Sequence, residues 1–152
     1  FATLIQTLLH RAVGHRRAGG RLCRAHMLNH HAIYRRIFTA PTYLDEEQSL
    51  TVYYLLPILA CSALAFCLLP PPFAVTVLAA FLLSMAAHAY VHVQYHLEGS
   101  ALARFGWFRR RQRLHHLHHE QPSRNFGVLE FFWDRLLGTY TCHSIAKRVV
   151  SS

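Results

Sequence analysis

Histidine is the residue type in this chain whose number and spacing point to chemistry. Thirteen histidines stand against seven Asp plus Glu residues. An ordinary globular domain has no structural need for so many imidazoles, because a buried imidazole is costly when charged and needs partners when neutral. Neutral imidazole is a common metal ligand. The histidines form four clusters, which are His10 with His15, His26 with His30 and His31, His92 with His96, and His115 with His118 and His119.

Helix geometry indicates which of these rings can meet. Residues three or four apart lie on one helix face, so His92 and His96 can point at one centre, as can the three rings of the last cluster. His10 and His15 are five apart, about 140° around an ideal helix, so they need a distorted helix or serve different ions. The rings of four clusters are too many for one ion and suit two, at about five each. Imidazole binds iron, zinc, copper and nickel alike, so the metal stays open.

Three histidines stand outside this set. His88 lies one turn before His92, and His116 is interleaved in the last cluster. We expect both to orient ligands through ring hydrogen bonds, with a ligand role as the alternative. His143 has no clustered partner and is expected to be solvated. A single H-x3-H pair is often incidental, but coincidence explains four clusters in one short chain poorly.

Two apolar stretches must position the clusters. Residues 51–69 carry no charge, and residues 73–91 are interrupted only by His88. Each is close to the roughly 20 residues that cross a bilayer core as a helix. Three prolines, Pro70 to Pro72, are expected to turn the chain between them. The alternative is a buried pair in a soluble bundle, but 53% hydrophobic and 15% charged residues favour a membrane.

The placement of charge predicts the orientation of this hairpin. The chain has 16 Lys plus Arg residues, and they flank the hairpin rather than the proline turn. The positive-inside tendency therefore puts both flanks, and the metal site with them, on the cytoplasmic face of the endoplasmic reticulum or bacterial inner membrane. Attraction to anionic headgroups explains the arginines more simply than nucleic acid, so no nucleic-acid partner is expected. The four cysteines contain no C-x-x-C pair, which argues against a disulfide framework or a zinc ribbon.

The predicted fold is an all-α integral membrane bundle of one domain, residues 1–152. A transmembrane hairpin, about 51–69 and 73–96, is joined to cytosolic helices that carry a dinuclear metal site. The chain starts with Phe1 and an apolar run, which we interpret as the end of an earlier span in a truncated chain. The other segments are a helix over 11–37 broken at Gly19-Gly20, a loop over 38–49, a helix over 101–119 and a short amphipathic helix over 128–137.

The order of the boxes, H-x4-H, H-x-x-H-H, H-x3-H and H-x-x-H-H, resembles the fatty acid hydroxylase and sterol desaturase superfamily of integral-membrane oxygenases. His10-Arg11 opens the first box as H-R. The stretch from His115 to Tyr140, HHLHHEQPSRNFGVLEFFWDRLLGTY, is similar to that family's last box and the N-[FY]-G and F-W-D-R-L-[FL]-G-T-[FY] segments after it. The resemblance covers the chain from His10 to Tyr140.

This resemblance implies a lipid hydroxylase. Its members hold two metal ions, iron in the active enzymes and sometimes zinc in a purified sample. They use dioxygen, and electrons from a b-type cytochrome or a ferredoxin with its reductase, to attack C–H bonds of lipids. The expected substrate is a fatty acyl chain or a sterol. The alternatives are a desaturase or carotenoid hydroxylase on the same scaffold, or a non-catalytic membrane metal-binding protein. We expect the basic face to dock an acidic electron donor.

Carried over box by box, the resemblance implies ten ligands. The second box departs from the pattern, because H-M-L-N-H-H has one residue more than H-x-x-H-H. Either a π-bulge brings His26 round, which we favour, or this ligand is displaced. Asp134 is expected to accept a ring N–H from a ligand, or else to pair with an arginine. The implied ligands are His10, His15, His26, His30, His31, His92, His96, His115, His118 and His119.

Overall fold

The computed structural model describes residues 1–45 and 49–144, with residues 49–53 described for their backbone alone. The described part is helical, as predicted, and its one extended contact is a bridge between Ala40 and Leu97. Residues 46–48 of the expected 38–49 loop lie outside the described residues. The α-helices are α1 (Ala2–Leu9), α2 (Gly20–Ala25), α3 (Ala32–Tyr34), α4 (Ser49–Leu68), α5 (Pro71–Tyr95), α6 (Gly106–Glu120) and α7 (Phe132–Leu136).

Helices α4 and α5 pack side by side and form the scaffold of the molecule. Only Leu69 and Pro70 connect them. The triple proline was expected to form the turn, but Pro71 and Pro72 instead occupy the first turn of α5 and Pro70 precedes it. Proline fits there because the first helical N–H groups have no partner within the helix and because its fixed φ suits a helix.

Helix α5 is long and apolar enough to cross a bilayer. It has 25 residues, and the mean hydropathy of its most apolar window is 1.9. The apolar stretch Tyr54–Leu68 of α4 is shorter, so α5 is the one candidate span among the described residues. Large apolar side chains point outward from both helices, among them Leu68 (70% exposed) and Leu83 (73% exposed). Such a surface suits contact with lipid. The second span of the hairpin stays a prediction.

Two π-helical turns occur in the segment that was expected to be helical over 11–37 with a break at Gly19-Gly20, and the first of them begins just before it at His10. The first, His10–Gly14, continues α1, and the second, His26–His31, continues α2. A π-turn takes up one more residue than an α-turn before the chain returns to the same face. Both turns carry histidine boxes, so they set the directions in which those rings point. The second is the distortion that the extra residue of H-M-L-N-H-H was expected to require.

Gly19 allows this segment to fold back on itself. It ends a short 3₁₀ turn, Arg17–Gly19, and lies against the π-helical turn that follows α1. A Cβ atom at Gly19 would overlap the carbonyl oxygen of Val13 and approach its carbonyl carbon to 2.8 Å. A glycine is therefore required here by space rather than by its φ angle.

We expect Gly19→Ala to destabilise the protein by about 2 kcal/mol, because the backbone of the first π-turn must move. Gly106→Ala is the matched control, since the nearest atom to its added Cβ is the side-chain Nη2 of Arg109 at 3.9 Å. Thermal unfolding in detergent measures both variants. Equal melting temperatures for the two variants would contradict the proposed close approach.

The last third of the chain closes over one end of the hairpin. Tyr95, Phe108 and Val128 form a buried cluster that attaches α6 and the following loop to the end of α5. The phenol of Tyr95 donates to the carbonyl oxygen of Val128 at 2.8 Å. Helix α5 ends at Tyr95, next to the predicted end of the second span at about residue 96, and the predicted 128–137 helix is limited to α7. A 3₁₀ turn, Ala101–Arg104, precedes α6 where one helix over 101–119 was expected.

Candidate metal centre

The histidines converge in two adjoining groups, both at the end of α5 that follows the apolar stretch. The first group takes its rings from both π-turns, from His15 just after the first, and from α6. One ring nitrogen of each of its members lies within 4.8 Å of those of the others. The members of the first histidine group are His10, His15, His26, His31 and His118.

The second histidine group gathers rings from the second π-turn, from the end of α5 and from α6. Four of its rings also bring one nitrogen each to within 4.8 Å of the others, and they belong to His30, His92, His96 and His115. We include His119 in this group because its Nε2 lies 3.2 Å from the Nε2 of His115. The two groups touch, since the rings of His31 and His119 stack with their centroids 4.3 Å apart. All ten histidines expected as ligands therefore fall into these two groups.

Four of the rings are held by an oxygen on the side away from their group. The Nδ1 atoms of His10, His96 and His118 contact the carbonyl oxygens of Phe126 (2.7 Å), Phe38 (2.9 Å) and Arg124 (2.6 Å). The Nδ1 of His30 contacts a carboxylate oxygen of Asp45 at 2.8 Å. A carbonyl or carboxylate oxygen can only accept a hydrogen bond, so Nδ1 of each ring carries the proton and Nε2 presents a lone pair. This arrangement is typical of histidines that bind metals.

The inward-facing nitrogens lack ordinary partners. The Nε2 atoms of His30 and His118 and both ring nitrogens of His31 are buried without a hydrogen bond. Buried polar atoms without partners are rare in folded proteins and call for an explanation such as a bound ion. Other ring nitrogens approach one another to between 3.0 and 3.2 Å. Two nitrogens each about 2.1 Å from one ion at a right angle lie roughly 3.0 Å apart. The residues present therefore fit bound metal.

Burial keeps these rings neutral. Desolvation is the largest cause that lowers the pKa of each ring in the first group, and neighbouring histidines add to it for all but His10. In the second group the same two causes lower the pKa of His30, His115 and His119, and the pKa of His96 falls to about 4. Neutral imidazole is the form that binds metal, so no proton has to leave before an ion enters.

Asp45 is a site residue that the spacing of the histidine boxes did not indicate. It lies in the loop after α3, is 6% exposed, and accepts from the Nδ1 of His30. Because burial lowers the pKa of His30, this contact joins a neutral ring to a carboxylate rather than two opposite charges. A carboxylate in this position fixes the ring and makes its other nitrogen a stronger ligand. The acidic run Asp45-Glu46-Glu47 carried no helical spacing to the boxes that would have pointed to it.

We expect Asp45→Asn to weaken metal binding at the second histidine group by about tenfold, because an amide is a poorer acceptor than a carboxylate. Chelator titration of the metal-loaded protein measures this loss. Glu98→Gln is the matched control, since Glu98 is exposed and lies outside both groups. The same chelator midpoint in both variants would show that Asp45 does not contribute to metal binding.

Asp134 supports the centre through the backbone rather than through a ring. Its side-chain oxygens accept the N–H of Phe126 at 2.8 Å, the N–H of Gly127 at 2.7 Å and the hydroxyl of Thr139 at 2.6 Å. The Phe126 carbonyl in turn holds His10. The expected direct bond from Asp134 to a ring, and the alternative pairing with an arginine, are both replaced by this loop contact.

Asn125, the first residue of the N-F-G motif, fixes the loop that follows α6. Its φ of 53° lies in the left-handed region, which asparagine tolerates better than most residues. Its side-chain amide donates to the carbonyls of Leu114 and Thr141, and its side-chain oxygen accepts the N–H of Thr141. Asn125 thereby attaches this loop to α6, and the loop presents the carbonyls of Arg124 and Phe126 to His118 and His10.

The remaining three histidines lie outside both groups. His88 is buried one turn before His92, with the ring of Tyr54 5.0 Å away, and its Nδ1 has no hydrogen bond. His116 stacks on the ring of Phe38 at 4.3 Å and lies 3.9 Å from Glu120, with its side chain 45% exposed. It therefore faces away from the rings that it was expected to orient. His143 lies outside the site, as expected, and contacts Cys142.

Comparison with known proteins identifies the family. A sequence profile of the fatty acid hydroxylase family matches residues 1–139. No curated protein and no solved structure matches the chain. The match covers all four histidine boxes and the loop that supports them, in a helical fold with two histidine groups able to hold metal. The chain belongs to the fatty acid hydroxylase family, within the sterol desaturase and fatty acid hydroxylase superfamily.

Proposed function

We propose that this member of the fatty acid hydroxylase family is a membrane di-iron oxygenase that hydroxylates a C–H bond of a fatty acyl chain or a sterol. The observation that carries the proposal is the arrangement of ten histidines in two adjoining groups with their free nitrogens turned inward. When bound, a pair of iron ions supplies the dioxygen-activating chemistry that attack on an unactivated C–H bond needs. The balanced reaction consumes lipid, dioxygen, two electrons and two protons and yields hydroxylated lipid and water.

The chain's own residues bind, orient and exclude water. The first histidine group would hold one ion and the second group the other. Hydrogen bonds fix the orientation of four ligand rings, and their acceptors are the carbonyl oxygens of Phe126, Phe38 and Arg124 and the carboxylate of Asp45. The side chains of Tyr34 and Tyr95 have no exposed surface and separate the second histidine group from water. A dry cavity limits side reactions of activated oxygen.

The substrate would enter from the bilayer beside α5. This helix carries an apolar, outward-facing surface along most of its length and ends at His92 and His96 of the second histidine group. A lipid lying along it would bring a chain carbon towards the metal site while its apolar part stays in the membrane. In this proposal α4 is the second span, and the metal site faces the cytoplasm with the arginine-rich segments.

The test is oxygen insertion with isotopically labelled dioxygen. Detergent-purified, iron-loaded protein is supplied with fatty acyl lipids or sterols and a reduced b-type cytochrome or ferredoxin, and products are analysed by mass spectrometry. We expect one labelled oxygen atom in the lipid. A new double bond without label in the lipid would indicate a desaturase. Absence of any lipid product with every donor and lipid class would contradict the proposal.

We expect donor-supported turnover to fall as salt is added. Among the described residues, exposed arginines such as Arg16, Arg35 and Arg113 give the side of the metal site a positive field that would attract an acidic electron donor. Raising ionic strength from about 0.01 M to about 0.15 M shortens the screening length from about 30 Å to about 8 Å. Turnover measured with a chemical reductant, which needs no docking, is the control. Equal salt dependence with both electron sources would contradict electrostatic docking.

A further inference from the structure

A cleft of about 400 Å³ lies between α6 and the α7 segment, and none of its lining residues belongs to either histidine group. One side is formed by Trp107, Arg110 and Arg111 of α6, and the other by Phe132, Arg135 and Tyr140. The lining thus combines aromatic surface with three guanidinium groups. Neither the structure of the metal site nor the proposed reaction uses this cleft.

The cleft has an excess of positive charge. Three arginines and one carboxylate, that of Glu130, line it, which leaves a formal charge of three minus one, or plus two. Neither of the two ion contacts found among the described residues involves an arginine. Arg111 lies over the ring of Trp107 at 5.2 Å and Arg135 over that of Tyr140 at 4.2 Å. Stacking on a ring leaves the N–H groups of a guanidinium available to bind phosphate in its plane.

The cleft lies beside the apolar part of the molecule. The indole N–H of Trp133 donates to the hydroxyl of Thr3 at 3.0 Å, and α1, which carries Thr3, packs against both α4 and α5. On α7, Phe132 is 56% exposed and Leu136 is 65% exposed, and residues four apart lie on one helix face. Exposed aromatic and aliphatic side chains next to arginines are typical of the boundary between headgroups and acyl chains.

We propose that this cleft binds an anionic phospholipid, with its phosphate on Arg110, Arg111 and Arg135 and its acyl chains along Trp107 and Phe132. The positive charge of the lining matches the phosphate, and the exposed apolar side chains match the acyl chains. Glu130 retains a buried side-chain oxygen without a hydrogen bond, to which a hydroxyl of a glycerol headgroup can donate. The bound lipid fills the space between α6 and α7 and is distinct from the substrate.

The experiment measures bound lipid by native mass spectrometry of the full chain, delipidated in detergent and then given phosphatidylglycerol or phosphatidylcholine. We expect one phosphatidylglycerol retained per chain and phosphatidylcholine lost. The double variant Arg110→Gln, Arg135→Gln should weaken retention roughly 30-fold, since each arginine contributes to attraction of an anionic headgroup. Arg21→Gln, Arg24→Gln is the matched control, because these two exposed arginines lie on α2 away from the cleft.

Three outcomes would overturn the proposal. They are equal retention of phosphatidylcholine, an equal loss of binding in the control pair, and displacement of the lipid by inorganic phosphate, which would indicate a soluble anion as the occupant. Metal content measured on the same samples shows that the variants are folded. Because the readout is the mass of the bound lipid, the result does not depend on whether the chain turns over a lipid substrate.

Discussion

Replacing His118 by alanine is expected to abolish lipid hydroxylation and to lower the metal content from two ions per chain to one or fewer. His118 has no exposed surface, its Nδ1 is held by the carbonyl of Arg124, and its Nε2 faces the first histidine group without a hydrogen bond. Loss of a partner that merely orients a ligand costs about 10- to 100-fold in metal affinity or activity. Loss of a ligand should cost at least about 100-fold in turnover.

The matched control is His116→Ala. His116 lies on the same helix, two residues from His118, but it stacks on Phe38 and faces away from both groups. We expect this variant to keep its metal and most of its turnover. His15→Ala provides a second variant of the first group at a partly exposed ring, where removal leaves no sealed cavity. Full metal content in both His118→Ala and His15→Ala would contradict the assignment of the first group.

The second large effect is expected from Asp134→Asn. The carboxylate accepts three hydrogen bonds, two of them from consecutive backbone N–H groups at Phe126 and Gly127. An amide has only one accepting oxygen, so one buried N–H must lose its partner. Because hydrogen bonds to charged groups contribute about 1.5 to 3 kcal/mol, we expect the free energy of unfolding to fall by about 3 kcal/mol.

The same substitution should also weaken metal retention, because the Phe126 carbonyl that holds His10 moves with the loop. Thermal unfolding and chelator titration of one sample measure the two effects together, with Glu98→Gln as the carboxylate-to-amide control. An unchanged melting temperature would show that the loop does not depend on Asp134. An unchanged chelator midpoint in a destabilised variant would show that the loop does not hold His10.

Spacing in the sequence was enough to predict which helical histidines share a face. His92 and His96 enter one group, as do His115 and His119, because a four-residue step returns to one side of a helix. His118 was expected to share a centre with His115 and His119, but its ring turns to the first histidine group. The same rule explains why His116 does not join them, since it follows His115 by one residue and so lies about 100° around the helix. Asp134 was expected to accept a hydrogen bond from a ligand ring or to pair with an arginine, but its carboxylate accepts the backbone N–H groups of Phe126 and Gly127 instead.

The parts that spacing could not predict depend on the backbone. The extra residue of H-M-L-N-H-H indicated the second π-turn. The position of the first π-turn, and the directions in which the two turns point the rings of His10 and His26, were not predictable, because a π-turn has no residue signature of its own. The oxygens that hold His10, His96 and His118 are backbone carbonyls, which every residue carries. Asp45 reaches His30 only because the loop after α3 folds back over the second histidine group. These contacts require the tertiary structure.

Elemental analysis with Mössbauer spectroscopy of the detergent-purified, full-length protein shows whether the two histidine groups hold two metal ions. We expect two irons per chain, one for each group, magnetically coupled and lost on His118→Ala. If protein from iron-replete cells contains zinc alone and takes up no iron on reconstitution, the assignment as an oxygenase is contradicted. A purified, folded protein that binds no metal at all would contradict the metal centre itself.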